Sequence, residues 1–600
     1  MVGTAAADDP PPRRRVVRDP VHDYVEVPGE LEALVASAAV QRLRNISQNA
    51  RANRRYPSLT GFRYEHALGT MHLAVAGWES AWRTCEDDVR SRFAREVISD
   101  VRAAPELDPC TAAWVSGKEV EDTPMWPEFA RVIGLAVAAV GLLHDVGHPP
   151  FSHVLERFYQ ERIVAVMGAD AALDQAEYAA LSGQAQFHEW AGLQIFDTLP
   201  DECFRHLPRS LVRLILSDRS GDDWTDCLHS VIDGQFDVDR LDYLMRDSRR
   251  AGTELGSIDW RRLVHSLELH QVPDGWRIGL GARAISAFET LLVQRAQHYR
   301  WVIHHPAAVV ADAALTRCTE GIFDLACSPP HTEGSDGADR AALADLRSVV
   351  PDLDYVHSAV RFDAGVGVCR DDADLLAWLR ASRRPLTALA DSGSPELRGR
   401  ARRLLRLHDV CDGFALEPVA AWRNYHEYLE RAAQNPDVVA ALIEQAPPAK
   451  TPSFLVSAAS REAAALMLTE LPARLNGALD ELLGDDDHVG AREVEAWLSA
   501  TTPHVDGLGD GFWLIQPVGF LAVRDEFATV WRGDMESPLS AVSPFPLALT
   551  AIEVMRPHCY AYFVPFGTPP LHHDKETRRA VGDAFFHAIA DSPAATGDPA

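Results

Sequence analysis

The stretch GLLHDVGHPPFSH, Gly141 to His153, carries His144, Asp145, His148 and His153 within thirteen residues. Imidazole nitrogen and carboxylate oxygen together suit Fe, Mn, Zn, Ni or Co, whereas Ca draws on oxygen alone. Neighbouring side chains on a helix diverge by about 100°, yet at a helix end His144 and Asp145 can both reach one ion lying between them. His148 follows one turn later, on the face of His144. A lone buried histidine is usually a satisfied core residue. Four titratable groups interleaved with Gly147, Pro149 and Pro150 need another account.

Completing such a site takes ligands from elsewhere in the chain. His66, in FRYEHALGTMH, stands at the start of an amphipathic helix in which Leu68, Met71, Val75, Trp78 and Trp82 recur at spacings of three and four. The segment DVDRLDYLMRDSRRAG, Asp237 to Gly252, also reads as a helix, with Asp239, Tyr243, Arg246 and Asp247 at i, i+4, i+7 and i+8. Leu241, Leu244 and Met245 supply the apolar positions between them. A solvated face is the ordinary reading of a charged stripe. An aromatic hydroxyl and alternating charges on an apolar helix point instead to the wall of a site.

The elements around these residues are mostly helical. Val132 to Leu143 is apolar apart from two glycines, and its twelve residues fall short of the ~20 a membrane helix needs, so it reads as a buried core helix. RDPVHDYVEVP (Arg18–Pro28) alternates like a strand or hairpin. Cys85 to Glu128 is a charged insertion without a motif. CSPPHTEGSDGADR, residues 327–340, is polar and rich in Pro, Gly and Ser, a loop or linker. Beyond it DDADLLAWLRAS and VEAWLSAT look helical, and FLVSAAS, GFWLIQPVGFLAV and CYAYFVPFG look like strands. The expectation is a mainly α protein: a helical core over 16–326, a mixed α+β region over 341–590, and disordered ends at 1–15 and 591–600.

Composition narrows the partners. The 600 residues include 87 acidic and 58 basic side chains, a net charge of −29, which argues against duplex nucleic acid as the main partner. A local cluster of arginines and metal can still invert that field inside one cleft. Nine cysteines with no CxxC pair fit reduced thiols and argue against a zinc ribbon. The first residues lack the apolar core of a signal peptide. Together these features lead us to expect a cytoplasmic protein with no membrane partner. HDVGH is a poor variant of a zinc-peptidase HExxH, because Gly147 and the prolines end the helix at once and Asp reaches less far than Glu.

The pattern H…HD…D, as His66, His144–Asp145 and Asp239, resembles the HD-domain metal-dependent phosphohydrolases. DPVHDYVEV, QRLRNISQ, FRYEHALGTMHLA, LLHDVGHPPFSH, FHEW and DVDRLDYLMRDS, in that order between Arg18 and Leu315, resemble the deoxynucleoside triphosphate triphosphohydrolases among them. That group includes the bacterial dGTPases and the animal sterile-alpha-motif HD-domain dNTPase. The resemblance implies an HD-domain helical core and His66, His144, Asp145 and Asp239 as ligands of a divalent transition metal, with Mg serving the phosphates. It further implies phosphate-lining imidazoles at His148 and His153, a general acid at His188 and its acidic partner at Glu156. Phosphate contacts would fall to Arg63, Arg240, Tyr243 and Arg295, a further substrate contact to Tyr299, and the sugar 3′-hydroxyl to Gln48 and Asp247.

The chemistry these roles imply is attack at the α-phosphorus, releasing deoxynucleoside and intact triphosphate. Guanidinium forks and a metal would hold the anion. A metal also lowers the pKa of water it binds, and an imidazole can protonate the departing 5′-oxygen. Ile303 stands where the family has an aromatic ring, and Pro306 replaces a lysine. Gln41, Arg42 and Arg44 resemble part of the family's allosteric nucleotide site, while Ala36 replaces the acid that reads guanine. From these we expect a homo-oligomer acting on dNTPs, with a deoxynucleotide as effector, in nucleotide-pool control or antiviral nucleotide depletion. The alternatives are another HD phosphohydrolase, such as a nucleotidase, phosphodiesterase or nuclease, and a nucleotide sensor.

Overall fold

The computed structural model describes residues 13–116, 126–169, 187–217, 223–327 apart from 235 and 274, 337–349, 371–413, 420–421, 511–517, 529–532, 535–539, 543 and 559–566. They fall into two compact units. The first comprises the chain up to His298 with Arg347–Ala381 and Val523–Leu547. The second comprises Tyr299–Leu346, Ser382–Ala522 and Ala548–Ala600. The described residues are mainly helical, with small sheets, as the sequence leads one to expect.

The first unit begins with an antiparallel hairpin, β1 (Arg15–Asp19) and β2 (Asp23–Val27), in the segment read as strand-forming. A short helix α1 (Ala38–Arg42) follows, and then the long helix α2 (Arg63–Thr84). The charged insertion contributes α3 (Asp87–Ala103), whose Phe93, Ala94, Val97, Ile98 and Val101 form a buried stripe. It is therefore an amphipathic helix built into the core, a role its high charge conceals. Helix α4 (Trp126–Leu143) contains the apolar run; it is long and apolar enough to cross a membrane by composition, but 72% of it is buried inside the protein.

Helices α2 and α4 are the centre of this unit. A β-carbon on Gly141 would lie 3.2 Å from the backbone of Met71, so a glycine permits their close approach beside the site. Trp82 and Phe129 pack with ring centroids 5.1 Å apart, and Phe93 meets Trp276 edge-on at 5.0 Å. Each fully buried large apolar side chain contributes ~1.5–3 kcal/mol, so this cluster anchors the two helices whose ends carry the chemistry. Helices α5 (His153–Ala169), α6 (Phe187–Thr198), α7 (Val238–Ala251) and α8 (Ile285–His298) complete the helical frame.

A second hairpin, β3 (Leu267–Val272) and β4 (Gly275–Gly281), lies in a span read as helical. Thr529–Arg532 pairs parallel to β4 and then antiparallel to Met535–Pro538, making a four-stranded sheet from segments far apart in sequence. In the second unit, Pro306–Cys327 packs with Pro395–Cys411. A three-stranded antiparallel sheet there takes the order Ala420–Ala421, Cys559–Pro565, Gly511–Pro517. The strand readings for CYAYFVPFG and the first part of GFWLIQPVGFLAV thus hold, as does the helix reading of DDADLLAWLRAS, which begins Asp372–Ser392. FLVSAAS, VEAWLSAT, residues 1–12 and 591–600 lie outside the described residues; the expected disorder over 1–15 does not extend to its end, since Arg14 pairs with Glu26 at 2.7 Å and Arg15 opens β1.

Candidate metal centre

Helix α4 stops at Leu143, and His144 and Asp145 open the turn that follows. His144 bonds through Nδ1 to the Gly141 carbonyl at 2.8 Å, which leaves its Nε2 for other work. His66, in the first turn of α2, bonds through Nδ1 to Asp242 at 2.8 Å. Its Nε2 lies 2.7 Å from Asp239 Oδ1 and 3.6 Å from Asp145 Oδ2. His144 Nε2 lies 3.4 Å from Asp145 Oδ1 and 3.5 Å from Asp239 Oδ1. His144 Nε2 is buried without a hydrogen-bond partner, while His66 Nε2 and Asp145 Oδ2 are buried with only the Asp239 carboxylate and the Arg63 guanidinium beside them. A buried polar atom left without a partner is costly.

Two imidazoles and two carboxylates whose lone pairs converge fit a divalent transition metal. His66, His144 and Asp145 each offer a ligand atom within 4.8 Å of the others. Both histidines bind a carboxylate or carbonyl through the other ring nitrogen, the usual way an imidazole ligand is oriented. The groups also set one another's charge. Burial opposes charge on His66, but the hydrogen bonds and charges of Asp239 and Asp242 raise it to about 10. Burial likewise opposes charge on Asp145, but Arg63, His144 and His148 hold its carboxyl well below the usual range.

Against this centre stands a second cluster. His188 Nδ1 is 2.6 Å from Glu156 Oε1, and His148 Nδ1 is 3.0 Å from the same oxygen. His153 Nδ1 is 2.9 Å from Glu156 Oε2. The His148 and His188 rings stack at 3.9 Å and 16°, and His148 Nε2 reaches Asp145 Oδ1 at 3.1 Å. The acid and partner that the family resemblance implies are therefore neighbours here. Gly147 makes the arrangement possible: a β-carbon there would overlap the His188 carbonyl and the Gly192 amide. The turn must press its bare backbone against α6.

The same turn carries Phe151 and Ser152 in the left-handed region, at φ 60° and 57°. Such positions cost ~1–3 kcal/mol each in a non-glycine residue and need support. Asp372 supplies it, accepting from the Phe151 amide at 2.7 Å and the Ser47 amide at 2.9 Å. Ser152 Oγ donates to the Ser47 carbonyl and accepts from Arg63 Nε, each at 2.7 Å. Sequence reading passed over Asp372, which sits at the start of a helix more than two hundred residues away.

The remaining site residues are placed as follows. Arg63 is buried and its Nη1 lies 2.5 Å from Asp145, so it braces a candidate ligand. Arg240 bonds to the Gly234 carbonyl at 3.0 Å and lies 3.2 Å from Asp237, a buried N-cap of α7. Tyr243 lies edge-on to His66 at 6.4 Å, on the same helix as Asp239. Gln48 adjoins the Ser47 strap, and its Oε1 is buried without a partner. Arg295 is on α8. Tyr299 belongs to the second unit, where its ring is edge-on to His304 at 5.6 Å, as do Trp301, Ile303 and Pro306.

Among the candidate effector residues, Arg42 donates to the carbonyls of Val146 and His148 at 3.2 and 2.7 Å. It thereby holds the His144–His148 turn itself. Gln41 bonds to the Val35 carbonyl, and Arg44 lies over the Tyr64 ring at 3.6 Å while bonding to Gln41.

Asp247 is buried on α7 with Oδ1 unpartnered. Burial raises its carboxyl to about 6, against the lowering effect of a hydrogen bond from Asn49. In the unfolded chain it ionises near ~3.9. Between those values the folded state holds a proton the unfolded state has lost, so stability falls as pH rises through about 4 to 6. Asp247→Asn is therefore expected to stabilise the protein above about pH 6, by up to ~3 kcal/mol. Melting curves of both proteins from pH 4 to 8 should diverge as pH rises; a constant gap would contradict the assignment.

No family model matches the chain. It is 28% identical over 305 residues to an uncharacterized protein of Methanocaldococcus jannaschii, covering 50% of this chain and 49% of that one. It is 25% identical over 325 residues to the uncharacterized protein YwfO of Bacillus subtilis, covering 53% and 57%. With the deoxynucleoside triphosphate triphosphohydrolase SAMHD1 of Homo sapiens it shares 21% identity over 321 residues, covering 50% and 44%. The chain spans about half the length of the curated relatives it matches. A solved phosphohydrolase of Bacteroides thetaiotaomicron aligns at 18% identity and a TM-score of 0.47, covering 92% of this chain and all of that one. The chain is thus distantly related to SAMHD1-like dNTPases and carries a His/Asp cluster that could hold a metal ion.

Proposed function

We propose that this chain is a metal-dependent deoxynucleoside triphosphate triphosphohydrolase, cleaving a dNTP to deoxynucleoside and triphosphate. The observation that carries the reading is the convergence of three buried ligand atoms, on His66, His144 and Asp145, within 4.8 Å of one another and beside the His188–Glu156 pair. Its similarity to SAMHD1 proteins supports the substrate class. A divalent metal held by those residues and Asp239, Fe or Mn in our reading, would supply Lewis acidity at a phosphoryl oxygen and lower the pKa of a water.

The chain's own groups do the rest. His188, with Nδ1 given to Glu156, keeps Nε2 for the proton that the departing 5′-oxygen takes up. Arg240 and Tyr243 flank Asp239 on α7, where they can hold phosphate oxygens. Gln48 and Asp247 bring buried, unpartnered polar atoms suited to a sugar hydroxyl. The resemblance puts Ile303 where the family has a ring that would stack on a base, a contact worth roughly 1–3 kcal/mol by analogy with nucleic-acid stacking. The reading therefore includes either tolerance of several bases or a second nucleotide, a deoxynucleotide, acting on a homo-oligomer.

The test is incubation of the purified, metal-loaded protein with each dNTP and NTP, alone and in pairs, with products resolved. Free triphosphate and deoxynucleoside are expected. Orthophosphate or a monophosphate would make it a different phosphohydrolase, and nucleotide binding without turnover would make it a sensor. If a second nucleotide alters neither rate nor oligomer mass, the regulated form of the reading is wrong.

A further inference from the structure

We propose that the amino-terminal hairpin is a working part of the metal centre: Asp242 orients the ligand His66, and His22 with the Asp19–Arg246 pair fixes Asp242. This rests on the reading of His66 as a metal ligand. Asp242 is fully buried, and each of its oxygens serves one histidine and one guanidinium nitrogen. Oδ2 accepts from His66 Nδ1 at 2.8 Å and Arg246 Nε at 3.0 Å. Oδ1 is 2.6 Å from His22 Nε2 and 2.9 Å from Arg246 Nη2. Arg246 Nη1 then donates to Asp19 Oδ2 at 2.8 Å. Asp19 Oδ1 in turn accepts from the amides of Val21 and His22 at 2.8 and 2.9 Å, fixing the hairpin turn.

The packing around this relay is made to measure. A β-carbon on Gly69, one turn beyond His66 on α2, would overlap Asp242 Oδ1 and come within 2.6 Å of Arg246 Nη2. The His22 ring is held edge-on against Trp260 at 5.5 Å and beside His72 at 5.4 Å. Two buried carboxylates and a guanidinium are poor value as fold stabilisers, since an apolar replacement of similar volume is often neutral or better. Their geometry does serve a ligand. Donation of Nδ1–H to Asp242 fixes the His66 tautomer, aims Nε2 at Asp145 and Asp239, and raises its basicity. The hairpin thus reaches the metal through three side chains, His22, Asp242 and His66.

The experiment titrates the metal-free full chain with Co²⁺ alone, reading the dissociation constant and the visible absorption bands, with circular dichroism to count the folded fraction. Wild type is compared with Asp242→Asn, His22→Leu, His22→Gln and Asp19→Asn. We expect Asp242→Asn and His22→Leu to weaken binding by about 10–100-fold and to shift the bands. His22→Gln, whose amide can donate from near the place of ring Nε2, should recover most of the affinity. A purely structural role would lower melting temperature but leave affinity and bands of the folded fraction unchanged, and that result overturns the proposal. Substitutions at three points of the relay keep the answer available if one of them does not fold. Failure of wild type itself to bind Co²⁺ would instead remove the metal reading beneath it.

Discussion

Asp145→Ala is expected to abolish both metal content and turnover. Its carboxylate faces His66 and His144, at 3.6 and 3.4 Å, and brings one of the two negative charges in the ligand set. Asp239 supplies the other carboxylate, 2.7 Å from His66 and 3.5 Å from His144. The substitution also strips the buried Arg63 of its 2.5 Å carboxylate partner. Removing one member of a buried ion pair costs ~3–5 kcal/mol, so melting temperature should fall as well. Asp239→Ala separates the two effects. Its side chain is 31% exposed and pairs with His66 and His144, so metal should be lost with a smaller stability cost. Full occupancy by elemental analysis in folded Asp145→Ala protein would sink the ligand assignment.

Much of this centre is visible in the chain because its parts sit in short, dense segments. His144, Asp145, His148 and His153 announce themselves by composition, and the α7 stripe by helical spacing. The supports do not. Asp242 lies one turn from Asp239 in plain view, yet its partners His22 and His66 are 220 and 176 residues away. Periodicity says which face a residue occupies; it does not say what packs there. Arg42 illustrates the same limit, since on a short helix an arginine that holds two carbonyls of the metal turn looks like one that awaits a ligand. The β4 pairing with Thr529–Arg532 is hidden for a second reason, that a four-residue strand gains its stability from a distant neighbour. Charge misled at α3, where acids and arginines cover one face of a helix whose other face is core.

His188→Ala should reduce turnover by ~10²–10⁴, the usual worth of a positioned acid or base, and leave metal content at the wild-type level. His188 lies outside the His66, His144 and Asp145 group, so the ligands lose nothing. Nor is Glu156 abandoned by the change, because His148 and His153 still face its two oxygens. The fold should tolerate it too, since the contact of the turn with α6 runs through Gly147 and the His188 backbone, which alanine keeps. Glu156→Gln should do part of the same damage by freeing the ring, and replacing both residues should cost little more than replacing His188 alone, as expected of groups acting as a unit. The alternative is that His188 merely packs, covering one face of His148 at 3.9 Å. Activity within a few-fold of wild type in His188→Ala would establish that, and the proton would then have to come from His153, whose side chain is 62% exposed and already within reach of the same glutamate.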